Sequence, residues 1–260
     1  MSDVNAQAVL LKHIDYGDND LIVTLLMPKV GKLTVIAKSA KKSKKRFPGI
    51  LELFNQLSVV YSQSQRGKLP LLKEAALHDA FINIRTDIYK TAYASYWVEL
   101  INLWLEEGHP QDAFYYLLYE VLTALDKGEV SSQILNIYFQ IKFLNLAGLQ
   151  PRLTSCCQCQ TQTDCLPSEK VVVSIKNGGI VCCDCSRSDT SNRKFVLSKG
   201  TLKQLIWIAQ RHLPAAKRVR FSITALKETS DFLEAFVPYH VGRVPKSLKF
   251  IKRLRGQKEP

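Results

Sequence analysis

Two Cys-x-x-Cys pairs, Cys156/Cys159 and Cys182/Cys185, are the residues whose type and spacing point most directly to chemistry. Two cysteines spaced this way sit on one turn and present two thiolates to the same point. Twenty-two residues separate Cys159 from Cys182, slightly more than the roughly 15–20 usual for four-cysteine sites. Two such turns close a tetrahedron around Zn²⁺. Four thiolates leave no open coordination position, so the expected zinc is structural rather than catalytic. Cys157, Cys165 and Cys183 are set aside as ligands, because using them requires Cys-x-Cys spacing within a knuckle. The alternative is a set of unpaired buried thiols.

A second chemical signature is cationic. Lys38, Lys41, Lys42, Lys44, Lys45 and Arg46 fall within nine positions, and Phe47 and Pro48-Gly49 follow. A run this dense repels itself unless an anion relieves it. It reads as a segment that tracks phosphates, with the Phe47 ring available to stack on a base; the alternative is a solvated charged loop. A further set, Lys217, Arg218, Arg220, Arg243, Lys246, Lys249, Lys252 and Arg253, is interleaved with Leu248, Phe250 and Ile251. It reads either as a solvated terminal helix or as a second anion-binding surface, for a DNA strand or an acidic protein tail.

The charge of the whole chain agrees with these runs. Its 260 residues carry a formal net charge of +13, which points to a polyanionic partner. Residues 1–80 are net +5, 81–152 net −3, 153–190 net −1 and 191–260 net +12. Two basic regions therefore flank a slightly acidic middle. The five histidines are scattered without His-x-x-x-His spacing, and no P-loop, Gly-x-Gly-x-x-Gly or Gly-x-Ser-x-Gly motif is present. These absences point away from an ATPase or helicase, and the expectation is a protein that is not an enzyme. A hydrophobic content of 46% is that of a folded chain. No apolar run reaches the roughly 18 residues of a membrane span, and no export signal opens the sequence. Cysteines without an export signal predict a reducing, cytoplasmic setting.

Positioning these groups requires particular elements. Residues 6–14, 20–27, 32–38, 57–61 and 69–75 are short β-branched or alternating runs separated by turn chemistry at Tyr16–Asn19 and Pro28–Gly31. Five strands with no long helix between them predict a small closed barrel, an oligonucleotide/oligosaccharide-binding (OB) fold or an SH3-like barrel. From Leu77 the apolar period changes to three and four. Ile88 to Leu105 form one amphipathic helix, stopped by Gly108-His109-Pro110. A second helix runs from Phe114 to Leu125 and a third is capped by Ser131. Val171–Ile175, the Asn177-Gly178-Gly179 turn and Ile180-Val181 form a ribbon hairpin between the cysteine pairs. Ser198 caps a further helix. The fold class is α+β: an N-terminal barrel over 1–78, then a helical domain over 79–260 with a zinc ribbon at about 153–190.

The order of these parts resembles the RecO family of bacterial recombination mediators over nearly the whole chain. The residues that carry the resemblance are Val9-Leu10-Leu11-Lys12, Tyr16-Gly17-Asp18, Gly31–Lys38, Lys44–Gly49 and Leu51-Glu52-Leu53-Phe54. Gly148–Pro151, Gly178–Cys182 and Lys246–Phe250 extend it. The resemblance implies an OB barrel and a non-enzymatic protein that binds single- and double-stranded DNA and anneals complementary strands. It implies work with RecR and the single-stranded-DNA-binding protein, through that protein's C-terminal tail, to load RecA in the bacterial cytoplasm at the nucleoid. Lys38, Lys44, Lys45 and Arg46 match the family's DNA-linked barrel segment; Cys156, Cys159, Cys182 and Cys185 match its metal ligands. The sequence departs at Gln160, where glycine often follows the second ligand. Some relatives lack the cysteines, which favours a scaffold role for the metal. The other reading is a zinc-ribbon adaptor that binds acidic protein tails, with incidental nucleic-acid affinity.

Overall fold

The computed structural model describes residues 3–63, 68–188 and 194–256. Five strands open the chain: β1 (Asp3–Tyr16), β2 (Asp20–Met27), β3 (Gly31–Ala37), β4 (Gln56–Ser62) and β5 (Leu71–Asp79). They close into a barrel in the order β1-β2-β3-β5-β4. Closure depends on β1 serving two neighbours. Its first half, Asp3 to Val9, runs antiparallel to β4; from Val9 to Tyr16 it runs antiparallel to β2. A bulge between Leu10 and Lys12 bends the strand near the changeover, the usual effect of one extra residue in a ladder. One parallel contact, Ile36 beside Leu71, joins β3 to β5.

Alternation sends Leu10, Val23, Leu25, Val35, Leu57 and Val59 inward, where all are fully buried. The β2–β3 turn needs its glycine. Gly31 has φ +83°, and a Cβ there would lie 2.0 Å from the His109 carbonyl oxygen.

Helices α1 (Ile82–Arg85), α2 (Ile88–Trp104) and α3 (Asp112–Lys127) follow. They belong with the barrel to one compact unit, which runs to Gly128 and takes in the C-terminal stretch from Phe250. Asp87 caps α2 by accepting from the Tyr89 and Lys90 N–H groups. The Tyr93, Tyr96 and Trp97 rings of α2 are buried. The sequence predicts a helix from Ile88 to Leu105, and α2 ends at Trp104, with Leu105 as its C-cap. Leu105 turns extended with its side chain buried, and the Gly108 N–H donates to the Lys32 carbonyl at 3.0 Å, so a bond to the barrel replaces another helical turn.

The second unit is Glu129–Lys249. Ser131 caps α4 (Ser132–Leu146). Then come β6 (Lys170–Ser174), β7 (Gly179–Val181), α5 (Cys183–Ser188) and β8 (Lys194–Ser198), and the strands form a sheet in the order β7-β6-β8. The β6–β7 hairpin is the expected ribbon; β8 and α5 are additions that the sequence reading lacks. The expected ribbon interval ends at 190, and its last two positions lie outside the described residues. Helices α6 (Lys199–Gln210), α7 (Leu213–Ala216), α8 (Ile223–Val241) and α9 (Lys246–Gly256) complete the described chain. Ser198 caps α6 by accepting from the Thr201 N–H. Glu228 of α8 accepts from the Ser198 N–H and the Thr201 hydroxyl, tying α8 to that cap. Within this unit α4 packs on α6 and α8.

Candidate nucleic-acid interface and metal centre

The basic run leaves β3 and leads on to β4. A short 3₁₀ turn, Ala40–Lys42, is pinned to the β1–β2 turn. The Ser39 N–H donates to Asp20 Oδ1 at 2.7 Å, the Lys41 N–H donates to the Asn19 carbonyl, and the Lys41 ammonium pairs with Asp15 at 3.0 Å. Lys38, Lys42, Lys44 and Lys45 are exposed and make no ion pair among the described residues. Arg46 donates to the Lys38 carbonyl at 2.9 Å and lies over the Phe47 ring, 5.2 Å from its centroid.

Phe47 corrects the sequence reading. Its side chain is only 2% exposed and packs in the barrel core with Ile50 and Leu51. Burying an aromatic ring removes a large apolar area from water, so Phe47 anchors the segment and its ring is not offered to a base. Sequence cannot separate an exposed ring from an anchoring ring at the end of a basic run.

Two cavities flank the segment. One, of about 690 Å³, opens on the barrel face between Tyr16, Ile22, Ile36, Lys38 and Leu71. The other, of about 350 Å³, is lined partly by Asp15 and Glu52, whose charges disfavour phosphate. Tyr16 was not anticipated. Its ring is 54% exposed at the larger cavity.

The eight cations of the other basic set fall into separate groups. Lys217 is half-buried and its ammonium pairs with Glu129, so its charge is largely compensated. Arg218, Arg220 and Arg243 are exposed. On α9, Lys246, Lys249, Lys252 and Arg253 are exposed, while Leu248 and Ile251 are buried.

The cysteine cluster forms as the spacing predicts. The sulfurs of Cys156, Cys159, Cys182 and Cys185 all lie within 4.8 Å of one another. Zn–S bonds of about 2.3 Å in a tetrahedron place sulfurs about 3.8 Å apart, and Cys159 and Cys182 are 3.6 Å apart. The Cys182 N–H donates to the Cys156 sulfur at 3.4 Å, and such bonds favour the thiolate. Hydrogen bonding from Thr161 holds the Cys159 thiol down to about 6. The shared hydrogen bond with Cys182 pushes Cys185 up to about 12. Four thiols crowded around one point compete for protons, and a divalent cation can take the protons' place. Cys157, Cys165 and Cys183 lie outside the cluster. Gln160, where glycine was expected, has φ +66°, a left-handed conformation that glycine adopts without strain.

A closed barrel bearing an exposed lysine segment, followed by helices and a small sheet with a metal-competent cysteine cluster beside it, defines a two-unit protein class with exposed cations. No described helix is long and apolar enough to cross a membrane. The family model described as "Recombination protein O N terminal" matches residues 1–81, and "Recombination protein O C terminal" matches residues 85–249. The chain belongs to the recombination protein O (RecO) family. It is 44% identical to the "DNA repair protein RecO" of Desulfatibacillum aliphaticivorans, with 98% of each chain covered. Identity to the protein of the same name from Desulfosudis oleivorans is 41%, over 98% of this chain and 99% of the other. With that of Syntrophus aciditrophicus it is 32%, over 96% and 95%.

Proposed function

We propose that the protein is a non-enzymatic, DNA-binding recombination mediator in DNA repair. In this reading it anneals complementary strands and, with RecR, helps load RecA onto single strands coated by the single-stranded-DNA-binding protein. The carrying observation is the barrel segment, where Lys38, Lys42, Lys44 and Lys45 stand exposed without a carboxylate partner among the described residues. Such a surface neutralises phosphates and releases their counterions. Annealing brings two polyanions together, so it requires this neutralisation. Relatives named DNA repair proteins support the reading.

The strand order β1-β2-β3-β5-β4, with β1 paired to both β2 and β4, supports an OB barrel. Cys156, Cys159, Cys182 and Cys185 would hold one structural Zn²⁺ that ties the β6–β7 hairpin to the preceding turn. The exposed cations of α9 favour a second contact, to duplex DNA or to the acidic C-terminal tail of the single-stranded-DNA-binding protein. In this reading the protein works in the bacterial cytoplasm at the nucleoid. The test is annealing of complementary strands coated by the single-stranded-DNA-binding protein. Acceleration by the wild type, lost in Lys42→Ala/Lys44→Ala/Lys45→Ala, supports the reading. Equal annealing with and without the protein refutes it.

A further inference from the structure

The four clustered cysteines differ in how far a solute can reach them. Cys156 and Cys182 are buried, Cys185 is half-buried, and Cys159 is exposed. The Cys159 sulfur lies 3.2 Å from the Thr161 hydroxyl and 3.6 Å from the Cys182 sulfur. Those two sulfurs come from different knuckles: Cys159 belongs to the turn before β6, and Cys182 directly follows β7. Cys165 and Cys183 are exposed as well, but they stand outside the cluster.

Backbone bonds also hold the two knuckles together. The Arg152 N–H donates to the Gly178 carbonyl at 2.9 Å, the Ile180 N–H to the Arg152 carbonyl at 2.9 Å, and the Cys157 N–H to the Ile180 carbonyl at 2.7 Å. The approach is close: a Cβ on Gly179 would lie 2.3 Å from the Arg152 carbonyl oxygen. These bonds use no sulfur, so they do not depend on a metal. They fix the segment around Cys156 and Cys159 against the β6–β7 hairpin, and Cys159 and Cys182 face each other across a prearranged gap. Closing that gap to a disulfide of about 2.05 Å needs a contraction of about 1.5 Å, within reach of side-chain rotation.

Peroxides oxidise thiolates, and the reaction follows thiolate character and access. A thiol that coordinates zinc is deprotonated outright. Cys159 combines that form with exposure and a second thiolate at 3.6 Å. Resting on the structural-zinc reading above, we propose that Cys159 and Cys182 form an oxidation site for hydrogen peroxide, at which a disulfide between the knuckles replaces the metal as the clasp of the ribbon. The Cys159 thiolate attacks one peroxide oxygen. The O–O bond breaks, hydroxide leaves and takes a proton from solvent, and Cys159 becomes a sulfenic acid. The Cys182 thiolate then attacks the Cys159 sulfur, the S–O bond breaks, and a second hydroxide leaves and is protonated. Two thiolates lose two electrons in all, and one peroxide gains them. Cys156 and Cys185 remain, two ligands where a closed site needs four, so the affinity for zinc collapses. A disulfide inside one knuckle would leave the knuckles unlinked. The bond between knuckles closes the 22-residue loop from Cys159 to Cys182 and restrains the unfolded chain.

The test exposes zinc-loaded, full-length protein to hydrogen peroxide, reads released zinc with a chromogenic chelator, and maps disulfides by mass spectrometry without reduction. About one zinc per chain should be released as the Cys159 and Cys182 peptides become linked. Dithiothreitol with added zinc should reverse both changes. The oxidised protein should melt at a higher temperature than reduced protein stripped of zinc by a chelator. Cys165→Ser and Cys183→Ser should leave zinc release unchanged; loss of release in either would place the entry thiol outside the cluster and overturn the proposal. Cys159→Ser should slow release at least about tenfold, and where that variant fails to hold zinc the disulfide map of the wild type decides alone. Linkage within one knuckle, oxidation to sulfinic acid without linkage, or zinc retained while Cys165 is oxidised would overturn the proposal and leave the structural zinc standing. Protein that takes up no zinc when reduced and supplied with it would overturn both.

Discussion

The salt dependence of single-strand binding follows from which barrel cations are already compensated. Lys41 shares its charge with Asp15 at 3.0 Å, whereas Lys38, Lys42, Lys44 and Lys45 have no such partner among the described residues. Arg46 keeps its charge while donating to a neutral carbonyl. Five cations thus remain to neutralise phosphates, and single-strand binding should show a log K against log salt slope of about −3.5. Lys42→Ala/Lys44→Ala/Lys45→Ala removes three and should leave about −1.4. Raising salt from about 50 to 200 mM then weakens wild-type binding about 130-fold and the triple variant about 7-fold. Lys41→Ala alone should barely change the slope. Asp15→Asn, which releases Lys41, should steepen it by about 0.7. Fluorescence anisotropy with labelled oligothymidine across that salt range reads each value. An unchanged slope in the triple variant, or a Lys41→Ala effect as large as that of Lys44→Ala, refutes the assignment.

Four further outcomes are expected. Purified protein should hold about one zinc per chain by elemental analysis; Cys182→Ser should lose the metal and lower Tm, whereas Cys165→Ser should do neither. Phe47→Ala should cost about 3–5 kcal/mol in urea denaturation, because the ring fills the barrel core; a near-neutral result would return Phe47 to the surface. Glu228→Gln should destabilise by about 1 kcal/mol at neutral pH. Burial pushes that carboxyl up, but bonds from Thr201 and Ser198 prevail and hold it below the usual carboxylate range. The stabilisation is therefore present above the unfolded pKa and lost as pH falls through the folded one, so the Tm gap should close below about pH 4. Gln160→Gly should raise the Tm of the metal-bound protein by relieving the left-handed backbone at φ +66°.

The parts legible in the sequence are those whose signal is local. The alternation in Lys32–Lys38 and the turn at Tyr16–Asn19 locate strands directly, and Ser131 and Ser198 mark helix starts because a capping hydroxyl acts within three residues. The cysteine cluster was equally legible, since each knuckle is a single turn. What escaped was formed at a distance. An apolar row on the outside of the barrel joins Ile14, Ile22, Ile36 and Leu71 only through register, and each residue alone looks like ordinary strand content. The burial of Phe47 is hidden for a related reason: its partners Ile50 and Leu51 belong to a core that exists only after closure. The third ribbon strand, β8, gained no signal of its own, because it pairs with β6 across the cysteine loop.

The burial of Phe47 has a consequence for the speed and reversibility of binding. With Ala40, Phe47 and Ile50 seated in the barrel, the cationic stretch between them is a stiff bracket rather than a tether. Its backbone is ordered by folding, not by the ligand. Engaging a strand then restricts only lysine rotamers, about 0.5–1.5 kcal/mol for each side chain held, and no loop must condense before contact or melt before release. A handle of that kind suits a protein that takes up a strand and passes it on.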